Sequence, residues 1–330
     1  MTLAPTGPTA HRVFGRLPSF DPDQAEIVLE PEKPGNGYWV GCPSVLHDEA
    51  QGVYWLTYRR RRPRGEDADR GWRCAVAKST DGLHFQDVWS VEKQELETTS
   101  MERFSLLPAP DGGYLLYLSY VDPADNRWRI DVIEAERPEE LDVRKTAPAL
   151  TAESTGTEGV KDPYTLRIGP AVYLFASYAS GGLSDEDLQR GHANADIYNT
   201  GVTTHPTGLA TSLDGRTFAW QGPVFDVGSG WDRYQARLNT VLPLGGAYLS
   251  MYDGSGDVTE NYEERTGLAI SHDLRQWHSL TPDRPWITSP YATGSLRYFD
   301  AVPQDGETWL YFEFARPDGS HDLRRTRIAH

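Results

Sequence analysis

Cysteine is nearly absent: Cys42 and Cys74 are the only two in 330 residues. This excludes a disulfide scaffold, and both thiols are expected to be reduced. Basic residues are in deficit, 32 Lys+Arg against 48 Asp+Glu, for a formal charge of −16. A field of that sign repels nucleic acid and anionic membrane surfaces, so neither is expected as a partner. No apolar run approaches the ~20 residues that a membrane helix needs. The opening MTLAPTGPTAHRVFG lacks a basic segment followed by an apolar one. No secretory signal is therefore expected, and the protein reads as cytoplasmic. Helical periodicity is scarce too, its best stretch being residues 184–196, interrupted by Gly191.

What the chain does contain is 31 Gly, 23 Pro, 17 Tyr and 10 Trp, the composition of a turn-rich sheet protein. Aromatic and aliphatic runs recur as Val53–Tyr58, Tyr114–Tyr120, Val172–Tyr178, Tyr248–Tyr252 and Thr308–Phe314. Each is preceded by a shorter strand ending in a Gly or Pro turn. Each is followed by a third strand: Trp72–Ala77, Trp128–Ile133, Thr207–Thr211, Thr266–Ile270 and Asp322–Ile328. Three units close on related turns, STDGLHF (79–85), SLDGRTF (212–218) and SHDLRQW (271–277). In these turns Ser and Asp satisfy the backbone while Phe or Trp packs inward.

Repeat starts at 42, 103, 162, 237 and 297 are 61, 59, 75 and 60 residues apart. Five repeats of three or four antiparallel strands predict an all-β, five-bladed β-propeller around a central channel. A two-sheet sandwich is the competing architecture, and the repeated turn weighs against it. Residues 38–330 are expected to form one domain, and residues 1–37 an N-terminal segment able to close the ring by adding a strand to the last blade. The long third interval carries an insertion, residues 179–205.

The repeat count, the Asp162-Pro163 pair opening an inner strand and the S-x-D-G-x-x-F turns resemble the five-bladed glycosidase propellers. These include arabinanases and β-xylosidases, invertases and levansucrases, and mannoside phosphorylases. The likeness spans roughly residues 38–328. It implies a carbohydrate-active enzyme that cleaves or transfers a glycosidic bond, with acidic residues from the first three blades at the channel. Glycosidic cleavage needs one carboxylate as nucleophile or base and another as proton donor.

Aligning the inner strands places Cys42, Arg103, Asp162, Arg237 and Arg297 at matching channel positions. Only Asp162 matches the hydrolase pattern; Cys42 stands where that pattern has Asp, and Arg103 follows in blade two. Asp162 is therefore the first catalytic candidate, kept ionised by Lys161 or a nearby arginine, with Glu102, Glu158 or Asp196 as a second carboxylate. Glu313, in WLYFEF, needs a partner if buried. Three channel arginines have two readings. They pair with blade acids such as Asp300 and Asp253 and lock the ring, or they bind an anionic group, phosphate or a carboxylate. Cys42 reads as a packed small residue, and Trp39, Tyr38, Trp231 and Tyr234 as sugar-stacking or packing aromatics. Arg59–Arg62 with Arg64 reads as a solvated loop offset by Glu66, Asp67 and Asp69.

The histidines show no metal-ligand spacing, and no cofactor is expected; a structural cation in the channel stays open. Two further functions remain open, a catalytically silent ligand-binding propeller and a specialised-metabolism enzyme on the same fold. The excess of arginine over lysine, 27 to 5, suits a GC-rich bacterial genome where such pathways are common.

Overall fold

In the computed structural model, residues 19–329 are described; residues 1–18 of the N-terminal segment and residue 330 lie outside them. The chain is all-β, with twenty strands grouped into five four-stranded antiparallel units. The first unit is β2 (Trp39–Asp48), β3 (Val53–Arg62), β4 (Arg70–Ser79) and β5 (Gln86–Glu92). The second is β6 (Ser105–Pro108), β7 (Tyr114–Val121), β8 (Trp128–Ala135) and β9 (Ala147–Leu150). The third holds β10 (Val160–Ile168), β11 (Ala171–Tyr178), β12 (Thr207–Ser212) and β13 (Ala219–Phe225). The fourth holds β14 (Gln235–Pro243), β15 (Tyr248–Ser255), β16 (Arg265–Ser271) and β17 (Trp277–Ser279). The fifth pairs β18 (Leu296–Gln304), β19 (Glu307–Ala315) and β20 (His321–Ala329) with β1 (Glu26–Leu29) from the start of the chain. A single parallel bridge, Trp39 with His321, joins the first and fifth units into one sheet.

The first strands contact one another in the cycle β2, β6, β10, β14, β18 and back to β2. Between consecutive units lie five apolar clusters. One packs Trp55 and Val76 of the first unit on Leu106 and Leu116 of the second, and another packs Leu249 and Met251 of the fourth on Phe299 and Phe312 of the fifth. Each fully buried Leu or Phe contributes ~1.5–3 kcal/mol, so the inter-unit seams hold the units together face to face.

The three Ser-Asp turns have one geometry. Asp81 Oδ1 accepts from Leu83 N and His84 N, and Ser79 Oγ accepts from Gly82 N. Asp214 with Ser212, and Asp273 with Ser271, repeat the pattern. Each turn also touches the preceding unit: Tyr311 Oη donates to Gly82 O (2.6 Å) and Tyr117 Oη to Gly215 O (2.8 Å). Phe85, Phe218 and Trp277 meet Tyr311, Tyr117 and Phe175 edge-on. Within the insertion, Ser184 caps a helix, Asp185–His192, and Ile197 and Tyr198 pack on Val121 and Trp128.

Gly82 has φ +67°, and a Cβ there would lie 2.3 Å from the Trp309 ring; Gly52, at φ +65°, has open space around it. Replacing either by Ala strains the backbone, whereas only Gly82→Ala also forces Trp309 aside. Chemical denaturation is expected to show Gly82→Ala losing ~1–3 kcal/mol more than Gly52→Ala; equal losses would mean the turn does not pack as described.

Candidate active site

The inner strands reach the centre through a shared irregularity. Two residues of the first strand face one on the second in the first, third and fifth units, between Gly41 and Ser44, Lys161 and Tyr164, and Arg297 and Asp300. The first bulged residue is left-handed each time, Cys42 at φ 54°, Asp162 at 58° and Tyr298 at 54°. Pro43 and Pro163 fall inside these bulges, where a missing N–H removes no ladder bond. This register corrects the sequence alignment. Asp162 matches Cys42 and, through the pairing of Arg237 with Asp253, Leu238 and then Tyr298. Arg237 and Arg297 stand one position earlier, level with Lys161 and Gly41.

The centre is a buried network of ion pairs. Arg237 donates from Nη1 to Asp162 Oδ2 and from Nη2 to Asp253 Oδ2, both at 2.6 Å. Arg297 pairs with Glu264 (2.5 Å) and Glu313 (2.7 Å). Arg59 reaches Glu102 (2.9 Å) and Glu313 (3.2 Å), and Arg61 also reaches Glu102 (3.3 Å). His321 bridges Glu313 (2.8 Å) and Glu263 (3.2 Å). Arg103 donates to Asn239 O (2.7 Å) and lies 3.6 Å from Asp300. Each of the three arginines singled out by sequence thus faces a carboxylate of the chain itself, and they do not form an uncompensated anion site.

Burial opposes charge at Asp162, Asp253, Glu264, Asp300 and Glu313, and the local partners decide the outcome. At Asp162, Arg237, Lys161 and the Arg103 N–H outweigh burial and hold the carboxyl below its usual range. Arg297 and Arg237 overcome burial at Glu264, bringing it to about 2, and Arg297 and Arg59 keep Glu313 well below its ordinary value. Asp300 and Asp253 are the exceptions: burial wins over Arg103 at Asp300 and raises it, and wins over Arg237 at Asp253 and pushes it up to about 6. The two carboxyls on one guanidinium therefore differ in their hold on a proton.

Cys42 takes a hydrogen bond from Arg59 Nε (3.1 Å) and donates from Sγ to Glu102 Oε2 (3.5 Å), while its N–H reaches Glu313 (3.2 Å). Burial drives its thiol well upward despite Arg59, so it stays neutral rather than a nucleophile. Lys161 lies 3.7 Å from Asp162 and beneath a roof of rings, 4.4 Å from Tyr198 and 5.7 Å from Tyr262. Asp196, from the insertion, is fully buried and binds Arg64 (2.8 Å), Arg70 (3.4 Å) and the Tyr262 hydroxyl. Arg61 stacks on the Tyr262 ring at 4.1 Å.

Other expectations change. Glu158 is not in this network; it pairs with Arg127 (3.3 Å) and His192 (3.0 Å). Trp39 stacks on His321 at 4.5 Å, with Arg61 and Arg297 also about its ring, so its faces are occupied. Trp231 stacks on Tyr252, and Tyr234 bonds to Tyr198 O. The run Arg59–Arg62 is not a solvated loop but the end of β3, with Arg59 and Arg61 buried inward while Arg62 pairs with Glu32 outside. Glu313 finds the partners that burial requires. Gly41 makes room for it, since a Cβ there would fall 1.9 Å from Glu313 Oε2. Glu264, Tyr298 and His321 are not candidates from sequence; Asp253 reads there as a partner for the channel arginines, which Arg237 shows it to be, and Arg59 only as part of a solvated run. Strand alternation through the arginine run was the available signal for Arg59.

No known family profile matches the sequence, and no curated protein matches it. Solved structures do. The chain is similar to a glycoside hydrolase at 13% identity and TM-score 0.67, covering 92% of this chain and 91% of that one. It is similar to the RS223 β-xylosidase at 13% and 0.62, covering 93% and 96%. A GH43_1 enzyme from Xanthomonas citri complexed with xylotriose matches at 14% and 0.59, covering 92% and 90%. The fold is accordingly that of the β-propeller glycoside hydrolases.

Two outcomes follow from this geometry. Glu313→Ala removes one of the two carboxylates from each of Arg59, Arg297 and His321, and denaturation is expected to show a loss of ~3–5 kcal/mol; a loss under ~1 kcal/mol would mean that water screens the group. Alkylation of Cys42 in the native protein is expected to be slow and to accelerate severalfold in Tyr262→Ala, which opens the roof. Peptide mass spectrometry separates it from Cys74, and an unchanged rate would show that Tyr262 does not cover the centre.

Proposed function

We propose that the five units are the blades of a five-bladed propeller and that the protein cleaves or transfers a glycosidic bond at the centre of the ring. The carrying observation is Arg237, which bridges two buried aspartates at 2.6 Å each: Asp162, which Arg237 and Lys161 hold below its ordinary value, and Asp253, which burial pushes up to about 6. Glycosidic chemistry needs these two states together, a base or nucleophile and a proton donor. Asp162 takes the first role and Asp253 the second. Glu102, on Arg59, Arg61 and Cys42, is the alternative partner for Asp162.

A neutral sugar suits this centre better than an anionic one, because its guanidiniums are paired with carboxylates. The xylotriose complex of a structural neighbour supports the same substrate class. That each of these guanidiniums has a carboxylate of the chain as its partner also favours a second reading, a propeller that binds a sugar without cleaving it.

A panel of aryl α- and β-glycosides, with and without inorganic phosphate, separates the readings. Release is expected without phosphate, and Asp162→Asn and Asp253→Asn are each expected to lower kcat by ~10²–10⁴-fold. Since Asp253 must carry its proton, activity is expected to fall as pH rises through about 6. Release that survives both substitutions would overturn the assignment, and saturable binding without release would support the silent propeller.

A further inference from the structure

Tyr298 is the residue that touches every member of the Asp162–Arg237–Asp253 unit. Its hydroxyl donates to Asp162 Oδ2 at 3.4 Å, its ring lies 3.9 Å from the Arg237 guanidinium, and its backbone N–H donates to Asp253 at 3.0 and 3.2 Å. It occupies the same register position as Asp162 and Cys42, in a bulge of β18, and it is fully buried at φ 54°. A bulky side chain in the left-handed region is strained, and such strain persists only where surrounding contacts enforce it. Here the left-handed turn goes with a backbone N–H bonded to one acid and a phenol bonded to the other.

We propose that Tyr298 is a positioning residue, fixing Asp162, Arg237 and Asp253 in one arrangement through its hydroxyl, its ring and its backbone N–H. The inference rests on the glycosidic reading for its importance to turnover, though not for its effect on the acids. Burial keeps the phenol protonated, so it acts as a donor. A donor to the ionised form favours that form, so the phenol assists Arg237 and Lys161 in holding Asp162 ionised. The groups facing Asp162 are Arg237, Lys161, the Arg103 N–H, Glu264, Tyr198, Cys42 and Tyr298 itself, and those facing Asp253 are Arg237, Glu264, Thr266 and the Tyr298 N–H. Removing the hydroxyl touches the first set alone, because the backbone bond to Asp253 remains.

Tyr298→Phe keeps the ring over Arg237 and deletes the hydroxyl. With aspartate carboxyls labelled with carbon-13 and the Asp162 signal assigned by its absence in Asp162→Asn, the Asp162 titration is expected to move to higher pH in Tyr298→Phe. Incorporation of 3-fluorotyrosine at position 298 alone, a stronger donor on an unchanged backbone, is expected to move it lower, and this arm decides the matter if Tyr298→Phe does not fold. On a cleaved glycoside, the acid limb of the pH–rate profile is expected to shift upward and kcat to fall about tenfold, with KM within twofold. A purely structural role would change the melting temperature and leave the titration in place. Superposable Asp162 titrations in the wild type and the variants would overturn the proposal. Absence of turnover on every glycoside, with the titration shifted, would instead count against the glycosidic reading and leave Tyr298 in its positioning role.

Discussion

The constraint on which the molecule depends is the cost of placing charge where water does not reach. Arg59, Arg103, Arg237 and Arg297 are among the largest fully buried side chains, and each faces a carboxylate of the chain. Removing an ion from water costs several kcal/mol even after relaxation, and an attractive partner recovers it only in good geometry. The inner strands must therefore meet in one register. A slip of one residue would turn Asp162 away from Arg237, and would bring a side chain in place of Gly41 into the space that Glu313 fills. The apolar seams between units supply most of the cohesion, while the ionic centre specifies which arrangement they hold.

That same constraint gives the centre its chemistry. A core of apolar residues would seal a ring at least as well, since buried ion pairs seldom stabilise more than well-packed hydrocarbon. Retaining so many charges in one buried cluster is characteristic of a functional site. The difference between Asp162 and Asp253 arises from partners rather than residue type. Both are buried aspartates on one guanidinium, but Lys161 and the Arg103 N–H assist only the first. Loops complete the arrangement from outside the ring, through Asp196 in the insertion and Glu263 and Glu264 ahead of β16.

The strands were legible because half-buried sheet writes itself as period-two aromatic and aliphatic runs, and the Ser-Asp turns because their hydrogen bonds depend on nearby residues. The centre was legible only where a local signal existed. Asp162-Pro163 marked an inner strand, though not its bulge, and the runs to either side of it fixed the third unit. The register in the fourth and fifth units was not, because a bulge adds a residue that no composition marks, so Arg237 and Arg297 were set one place too far along. The arginines of β3 were misjudged for a different reason. Consecutive charges read as solvated, yet the strand's alternation continues through them and turns Arg59 and Arg61 inward. Glu264 meets Arg297, and His321 meets Glu263, across separations that no short motif records.

The central claim is that this compensated network works on a sugar linkage rather than merely locking the ring. The most direct test is to incubate the purified protein with neutral oligosaccharides, xylo-oligosaccharides first, and to read product masses beside Asp162→Asn carried through the same purification. The account expects shortened or transferred products from the wild type and none from the variant, with both proteins folded. Saturable binding by the wild type with every oligosaccharide mass unchanged would contradict it.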